Sequence, residues 1–199
     1  MAPGVDENKR ATLRRFAALG AASPFVGVLD SQGDSDARPA IVGYLETTPG
    51  AHFSKLRDDL GLGTGETQHH LRRLLDTGAI ESRRDGDYRR FFPEGRFSEF
   101  EKVSLGYLRR ETPRGMVIEL LRDPNATGSD LAAALSVSAP TISKQAAELE
   151  SAGLLVREGG YRLVNSETLL VLLVRYADSF GEGALELAAD AADLIRIEE

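Results

Sequence analysis

Six arginines between positions 72 and 90 are the strongest chemical feature of this sequence. They form three adjacent pairs: Arg72 and Arg73, Arg83 and Arg84, and Arg89 and Arg90. A guanidinium group can bind a phosphate, or the edge of a guanine, through two parallel hydrogen bonds. Gln68 and His69 stand just before the first pair, and a glutamine amide can pair with adenine in the same way. The chemistry predicted from these residues is recognition of a nucleic acid rather than catalysis.

Two short helices are predicted to carry the first of these groups. Leu56 and Leu60, four residues apart, mark the buried face of one helix, and Thr67, Leu71 and Leu74 mark that of the next. Gln68, His69, Arg72 and Arg73 then fall on the exposed face. Between the helices the chain is predicted to break at three glycines, Gly61, Gly63 and Gly65.

A basic hairpin is predicted to follow the second helix. Gly78 suits the left-handed position just past a helix end. A strand then begins at Ile80, Asp85-Gly86 forms the turn, and Tyr88 to Phe92 returns, so that four arginines flank the turn. Helix, turn, helix and basic hairpin together indicate a winged helix. Its second helix can enter a major groove while the wing lies on phosphates or reaches a minor groove.

The stretch from Ala51 to Pro93 resembles the winged helix-turn-helix transcriptional regulators of archaea, especially haloarchaea. The resemblance rests on four runs: HFSKL, LGL, QHHLRRL and SRRDGDYRRFFP. It implies sequence-specific DNA binding and does not identify the regulated genes.

The net charge of −7 is unusual for a DNA-binding protein, but the acidic excess is confined to the second half. Residues 1–40 carry five basic and five acidic side chains, and residues 41–97 carry nine of each. Residues 98–199 carry ten basic and seventeen acidic side chains. The first half is therefore neutral overall, with its arginines concentrated on one hairpin, which permits DNA binding there.

Lysine is scarce, since only four of the 24 basic residues are lysines. Together with the many acidic and small residues, this composition resembles that of proteins from salt-loving archaea. In molar salt the Debye length is about 3 Å, so counterion release would contribute little to binding. Specific affinity would then depend on base-edge contacts and groove fit.

Catalysis and cofactor binding find no support in the sequence. Cysteine is absent, and no Asp or Glu is spaced so that it would build a convincing metal site with His52, His69 or His70. The glycine-rich run at 61–65 lacks the lysine of a phosphate-binding loop, and no nucleophile motif is present. We therefore predict a non-enzymatic, cytoplasmic protein without metal or cofactor.

The apolar stretch from Phe16 to Leu29, preceded by Arg14-Arg15, has two interpretations. It could be a twin-arginine export signal, or it could continue an ordinary helix beginning near Asn8 that packs on the rest of the protein. It is too short to span a membrane and is interrupted by Pro24. Export would also remove the protein from chromosomal DNA, so packing is favoured. Residues 31–37 indicate a flexible linker.

The second half repeats the first at an offset of 75 residues. Apolar and turn positions coincide in ten pairs: Val42 and Val117, Leu45 and Leu120, Pro49 and Pro124, Ser54 and Ser129, Leu56 and Leu131, Leu60 and Leu135, Leu62 and Val137, Leu74 and Leu149, Gly78 and Gly153, and Ile80 and Leu155. Repetition of this kind indicates that one fold is used twice.

In the second copy, Ser138 is the predicted N-cap of the recognition helix, with Pro140 in its first turn. Its wing is predicted to turn at Gly159-Gly160 and is less basic. Beyond it, residues 166–180 are predicted to form one apolar helix and Ala184 to Ile197 another. This much apolar surface suggests a two-fold homodimer, with packing against the N-terminal stretch as the alternative.

These observations predict a mainly α (α+β) fold with two winged helix-turn-helix domains, small β-hairpin wings, and N- and C-terminal helices. The predicted segments are 1–37 (N-terminal helix and linker), 38–97 (first winged helix), 98–165 (connecting helix and second winged helix) and 166–199 (C-terminal dimerisation helices). The predicted partners are duplex DNA and a second copy of the chain, with no membrane. The candidate DNA-binding residues are Thr64, Gln68, His69, Arg72, Arg73, Arg83, Arg84, Arg89 and Arg90 in the first copy and Thr141, Ser143 and Lys144 in the second.

The alternative function is a tandem winged-helix scaffold for other proteins, of the chromosome-organisation type, with only non-specific DNA affinity.

Overall fold

The computed structural model describes Thr12, Arg15, Phe16 and residues 37–195, with side chains as far as Ala191. The chain divides into two compact units, Met1–Ser98 and Glu99–Glu199. The prediction of a mainly α fold built from winged helix-turn-helix domains with small hairpins is confirmed.

The first unit is a complete winged helix. Its elements are α1 (Ala37–Thr47), β1 (Ala51–His52), α2 (Phe53–Leu60), α3 (Thr64–Asp76), β2 (Ile80–Asp85) and β3 (Tyr88–Pro93). The three strands form an antiparallel sheet in the order β1-β3-β2. Leu56 and Leu60 of α2 and Leu74 of α3 are fully buried with Ile41 and Leu45 of α1, so the predicted apolar faces form one core.

Phe16 belongs to this first core. Its ring lies edge-on to that of Tyr44, with the ring centroids 5.3 Å apart, and its side chain is half-buried. This contact supports packing of the N-terminal stretch at that residue. The remainder of the stretch from Asn8 to Leu29, and the predicted linker before residue 37, lie outside the described residues.

The second unit contains the second winged helix and the C-terminal helices. Its elements are α4 (Glu99–Leu108), α5 (Glu111–Arg122), α6 (Gly128–Ala134), α7 (Ala139–Ser151), β4 (Leu155–Val156), β5 (Arg162–Leu163), α8 (Ser166–Arg175), α9 (Ala177–Phe180) and α10 (Glu182–Ile195). Strands β4 and β5 form a two-stranded antiparallel sheet.

The predicted repeat is present in the structure. Helix α7 begins and ends 75 residues after α3, at 139–151 against 64–76. The residue that follows α2 and the one at the corresponding place after α6 both have left-handed backbones, Gly61 with φ 63° and Ser136 with φ 52°. The same helix-turn-helix geometry is therefore built twice, once with glycine and once with serine at its tightest point.

The single helix predicted over residues 166–180 is wrong, because the chain leaves helical geometry at Tyr176 (φ −115°, ψ 23°). The short helix α9 that follows is held by Arg109. The guanidinium group of Arg109 donates to the carbonyl oxygen of Ser179 at 2.9 Å and lies over the ring of Phe180, 4.3 Å from its centroid.

The C-terminal helices bury most of their apolar side chains inside the second unit. Helix α8 packs on α4 and α5, and α10 packs on α5 and α8. The buried side chains include Leu169, Leu172, Leu173, Tyr176, Phe180 and Leu187. Among the described side chains of these helices, three large apolar ones are exposed: Val171 at 60%, Val174 at 37% and Leu185 at 45%. The apolar surface available to a partner is thus much smaller than the sequence suggests.

Candidate nucleic-acid interface

Helix α3 is positioned by a tight, internally bonded turn. Helix α2 ends at Leu60, and Gly61 takes the left-handed conformation that reverses the chain. Gly63 caps α3, and its N–H donates to Oε2 of Glu66 at 3.1 Å. The hydroxyl of Thr67 donates to the carbonyl oxygen of Gly63 at 2.8 Å. Gly65 does not break the chain as predicted, because it lies inside the first turn of α3.

The exposed face of α3 carries the predicted polar side chains. Thr67, His70, Leu71 and Leu74 are buried. The candidate DNA-binding residues on the helix, all exposed, are Thr64, Gln68, His69, Arg72 and Arg73. Among the described residues, no acid forms an ion pair with Arg72 or Arg73, so both guanidinium groups are available to an anion.

The register of the wing sorts its arginines onto two faces. Arg84 lies opposite Arg89, and Arg83 lies opposite Arg90. Because cross-strand partners point to the same side and neighbours along a strand point to opposite sides, each pair shares one face. Arg89 donates from Nε to Oγ of Ser82 at 2.8 Å. It also lies over the ring of Phe91, 5.7 Å from its centroid.

The face with Arg84 and Arg89 is the one turned toward α3. A groove of about 490 Å³ runs between α3 and β3, and Gln68 and Arg72 from the helix and Arg89 from the strand contribute to its walls. Its apolar walls come from Phe53, Leu71, Leu75 and Phe91. Gln68, Arg72 and Arg89 therefore border one concave surface, which Asp76 of α3 also lines.

The prediction that Arg90 lies on the DNA-facing surface is wrong. Its side chain is buried, with 3% exposed, and its Nε is paired with Oδ2 of Asp85. Its Nη1 donates to the carbonyl oxygen of Gly50 at 3.0 Å. A charge this far from solvent must be satisfied within the protein, and these two acceptors satisfy it. Arg83, on the same face, is half-buried.

The wing turn is one residue later than predicted. Asp85 and Tyr88 close the hairpin, and Gly86 and Asp87 are the two turn residues, with Gly86 at φ 59°. A two-residue hairpin turn needs a positive φ at its first residue, which glycine adopts without steric cost. Because Asp85 is the last residue of β2 and not a turn residue, its side chain lies on the same face as Arg90 and pairs with it.

His52 and Tyr88 form a contact that the sequence interpretation missed. Nδ1 of His52 accepts from the backbone N–H of Lys55 at 3.2 Å and caps α2. The His52 ring stacks on Tyr88, with the centroids 4.9 Å apart. Burial, followed by the positive charges of Arg90 and Lys55, lowers the pKa of His52 below its ordinary 6.5. A polar side chain just before a helix could have indicated the cap, but the stacking depends on the hairpin register.

The second copy presents a less basic surface. Ser143 and Lys144 of α7 are exposed, whereas Thr141 is half-buried and shares a hydrogen bond of 2.8 Å with the N-cap Ser138. In the wing, Arg157 is held by Glu150, with 2.6 Å between Nη2 and Oε2. The same hydrogen bonds lower the pKa of Glu150.

Within the described part of the chain, no group of three His, Cys, Asp or Glu residues could hold a metal ion. In the same part of the chain, no helix has the length and apolarity needed to cross a lipid bilayer.

The comparisons with known proteins agree with this geometry. Residues 35–105 match a family model described as an N-terminal HTH domain, and residues 109–156 match one described as winged helix-turn-helix DNA-binding. The two matches together cover more than half of the 199 residues. No curated protein and no solved structure matches the chain. Two HTH domains therefore follow one another in this chain, the second described as a winged DNA-binding domain, in the arrangement of the tandem winged helix-turn-helix family that the sequence resembles.

Proposed function

We propose that the protein is a sequence-specific, non-enzymatic transcriptional regulator that binds duplex DNA mainly through its first winged helix. One observation carries the proposal: Arg89 lines the groove to which α3 contributes Gln68 and Arg72, and Arg84 lies beside Arg89 on the same face of the hairpin. This arrangement supports the proposal, because a helix in the major groove and a wing on the backbone require candidate base-reading and phosphate-binding side chains on one concave surface.

The exposed candidate residues of the first winged helix have different proposed roles in this arrangement. Gln68 and Arg72, in the middle of the exposed face, read base edges, and the neighbouring Thr64, His69 and Arg73 contact either bases or backbone. Arg84 and Arg89 bind phosphates or a narrow minor groove. Arg83 gives weaker support at the edge of the wing, because it is half-buried on the opposite face.

The protein is further proposed to act as a homodimer through its C-terminal helices. Val171 and Val174 are exposed at 60% and 37% and lie one helical turn apart on α8, and this adjacency on one face supports an intermolecular contact. Sedimentation velocity of the full chain tests this. We expect Val171→Glu to convert a dimer to a monomer and Ala133→Glu, an exposed change on α6, to leave it intact. If both variants remain dimers, the dimer contact does not include Val171 of α8.

A scaffold function for the second winged helix is the second candidate, and one observation favours it. The arginines nearest its recognition helix are paired with acids of that helix, Arg157 with Glu150 at 2.6 Å and Arg110 with Glu148 at 3.7 Å. These ion pairs reduce the positive charge available beside α7, while Ser143 and Lys144 remain exposed on that helix.

Selection of DNA fragments from a genomic library of the source organism by the purified full chain, in molar potassium chloride, tests the proposal. We expect recovery of a shared and roughly palindromic motif, because salt of this strength suppresses non-specific electrostatic binding. The Arg84→Ala/Arg89→Ala variant serves as the control and should recover far fewer fragments. Weak, uniform binding at low salt without any motif would contradict the regulator and favour the scaffold.

A further inference from the structure

Arg90 occupies an unusual place for a wing arginine, because its guanidinium group is buried and bonded on three sides. Nε is paired with Asp85, Nη1 donates to the carbonyl oxygen of Gly50 at 3.0 Å, and the group lies over the ring of Tyr88, 5.7 Å from the centroid. Both carboxylate and guanidinium are nearly inaccessible, with 10% and 4% of their side chains exposed.

These bonds connect parts of the first unit that are distant in sequence. Asp85 is the last residue of β2, at the wing tip, whereas Gly50 lies in the loop before β1. The N–H of Gly50 also donates to the carbonyl oxygen of Phe91 at 2.9 Å, and His52 of β1 pairs with Arg90 itself. The outer part of the wing is thereby tied to the body of the domain through one buried side chain.

The face that Arg90 occupies is the one opposite Arg84 and Arg89. The side chains that set the orientation of the hairpin therefore do not compete with those that would bind DNA. A hairpin of two strands is only marginally stable by itself. Fixing it before binding removes an ordering cost that would otherwise reduce the affinity.

We propose that Arg90 and Asp85 are positioning residues for DNA binding, which hold the wing so that Arg84 and Arg89 reach the DNA while α3 occupies the groove. The inference rests on the proposed function. Neither residue touches DNA in this account. They affect the affinity only by fixing the positions of Arg84 and Arg89 on the other face.

A double-mutant cycle on the full chain tests this dependence. Asp85→Asn is combined with Arg84→Ala/Arg89→Ala, and affinity is measured for one duplex recovered in the selection experiment. Asp85→Asn raises the net charge by one, which by itself would favour DNA binding. We nevertheless expect it to weaken binding about tenfold in the wild-type background and less than about twofold in the Arg84→Ala/Arg89→Ala background.

The control is Glu46→Gln, which removes the same charge from an ion pair with Arg96 (3.0 Å) on the same unit. It should leave affinity unchanged in both backgrounds. Folding of every variant is checked by circular dichroism at the binding temperature. If Asp85→Asn does not fold, Arg90→Lys, which keeps the charge and loses the two-armed contact, takes its place in the cycle.

The outcomes separate the two proposals. A wild-type protein that binds no duplex overturns the proposed function. A wild-type protein that binds, with equal losses from Asp85→Asn in both backgrounds, overturns the positioning role alone, because a general loss of stability would act independently of the wing arginines.

Discussion

The two winged helices share their helical frame and differ in their wings. Helices α3 and α7 have equal lengths and corresponding positions, but the strands of the first wing are six residues long and those of the second are two. The first sheet gains a third strand, β1, and the second does not. The frame that places a recognition helix is thus kept, while the element that would bind DNA backbone is changed.

Charge follows the same division. In the first unit, acids do not pair with Arg72 or Arg73 among the described residues, and Arg84 and Arg89 are exposed. In the second, acids on α7 hold the nearby arginines. The comparison teaches that a duplicated helix-turn-helix does not imply duplicated DNA affinity, and four predictions test how far the difference extends.

The largest effect is expected from the wings. Arg84→Ala/Arg89→Ala should weaken binding to all duplexes by about 10- to 100-fold at low salt and lower the salt slope by about two, because each arginine neutralises one phosphate. Titration at several salt concentrations measures both. The matched variant Arg157→Ala/Arg162→Ala should cost less than about threefold, and equal losses in both would abolish the distinction between the wings.

The recognition helices should differ in specificity. Gln68→Ala removes a predicted base-edge contact and should cost about 1–3 kcal/mol on the preferred duplex and little on others. Competition between preferred and scrambled duplexes measures the ratio. Ser143→Ala in α7 is the counterpart and should leave this ratio unchanged, whereas a comparable loss would mean that the second domain reads bases as well.

The left-handed residues in the two helix turns should respond in opposite directions. Gly61→Ala should lower the free energy of unfolding by about 1 kcal/mol, because a side chain is disfavoured at φ 63°. Ser136→Gly should raise it by about 0.5 kcal/mol, because the strain at φ 52° is relieved and partly offset by a more flexible unfolded chain. Urea unfolding followed by circular dichroism measures both changes. Destabilisation by Ser136→Gly would show that the serine side chain contributes a contact there.

The smallest expected effect is a pH dependence of the free energy of unfolding, which should differ between the helix caps of α2 and α6. Because the pKa of folded His52 is lowered, the unfolded state binds more protons between that pKa and about 6.5. The free energy of unfolding of the first unit therefore includes the full contribution of His52 above about pH 6.5. This contribution falls as the pH drops toward the lowered pKa, because protonated Nδ1 can no longer cap α2.

The corresponding cap of α6 is Thr127, whose hydroxyl does not titrate in this range. Its partner Asp130 has its pKa lowered below 3.8 by hydrogen bonds from Thr127, so this cap weakens only in stronger acid. Urea unfolding at pH 5 and pH 7.5 tests the contrast. His52→Asn, whose side chain caps the helix without titrating, should reduce the difference in free energy of unfolding between the two pH values. An unaltered difference in that variant would mean that another group causes the pH dependence.

The local features of the fold were predictable because short-range rules determine them. Leu56, Leu60 and Leu74 lie at helical spacing, and Gly78 takes the left-handed position after α3, with φ 68°. The exposed face of α3 follows from the same periodicity. The break at Tyr176 could not be predicted, because a distant residue, Arg109, bonds to the turn that follows it.

The wing is a second region in which contacts between distant residues prevented a correct prediction from the sequence. Four flanking arginines can be counted in the sequence, but their faces depend on whether the turn begins at Asp85 or at Gly86. A shift of one residue moves every side chain to the other face. The burial of Arg90 further requires a carbonyl group 40 residues earlier in the chain. Composition alone therefore overestimates the number of exposed arginines in the wing.

The pairing of β1 with β3 also bears on the order in which the chain folds. Pairing of residues 51 and 52 with residues 90 and 91 closes a segment that contains α2, α3 and β2, whereas β4 and β5 join residues a few positions apart. Loop closure over a longer segment costs more entropy and slows folding. During refolding we therefore expect the second winged helix to acquire protected amides before the sheet of the first does, so that the domain proposed to read DNA is the later of the two to become native.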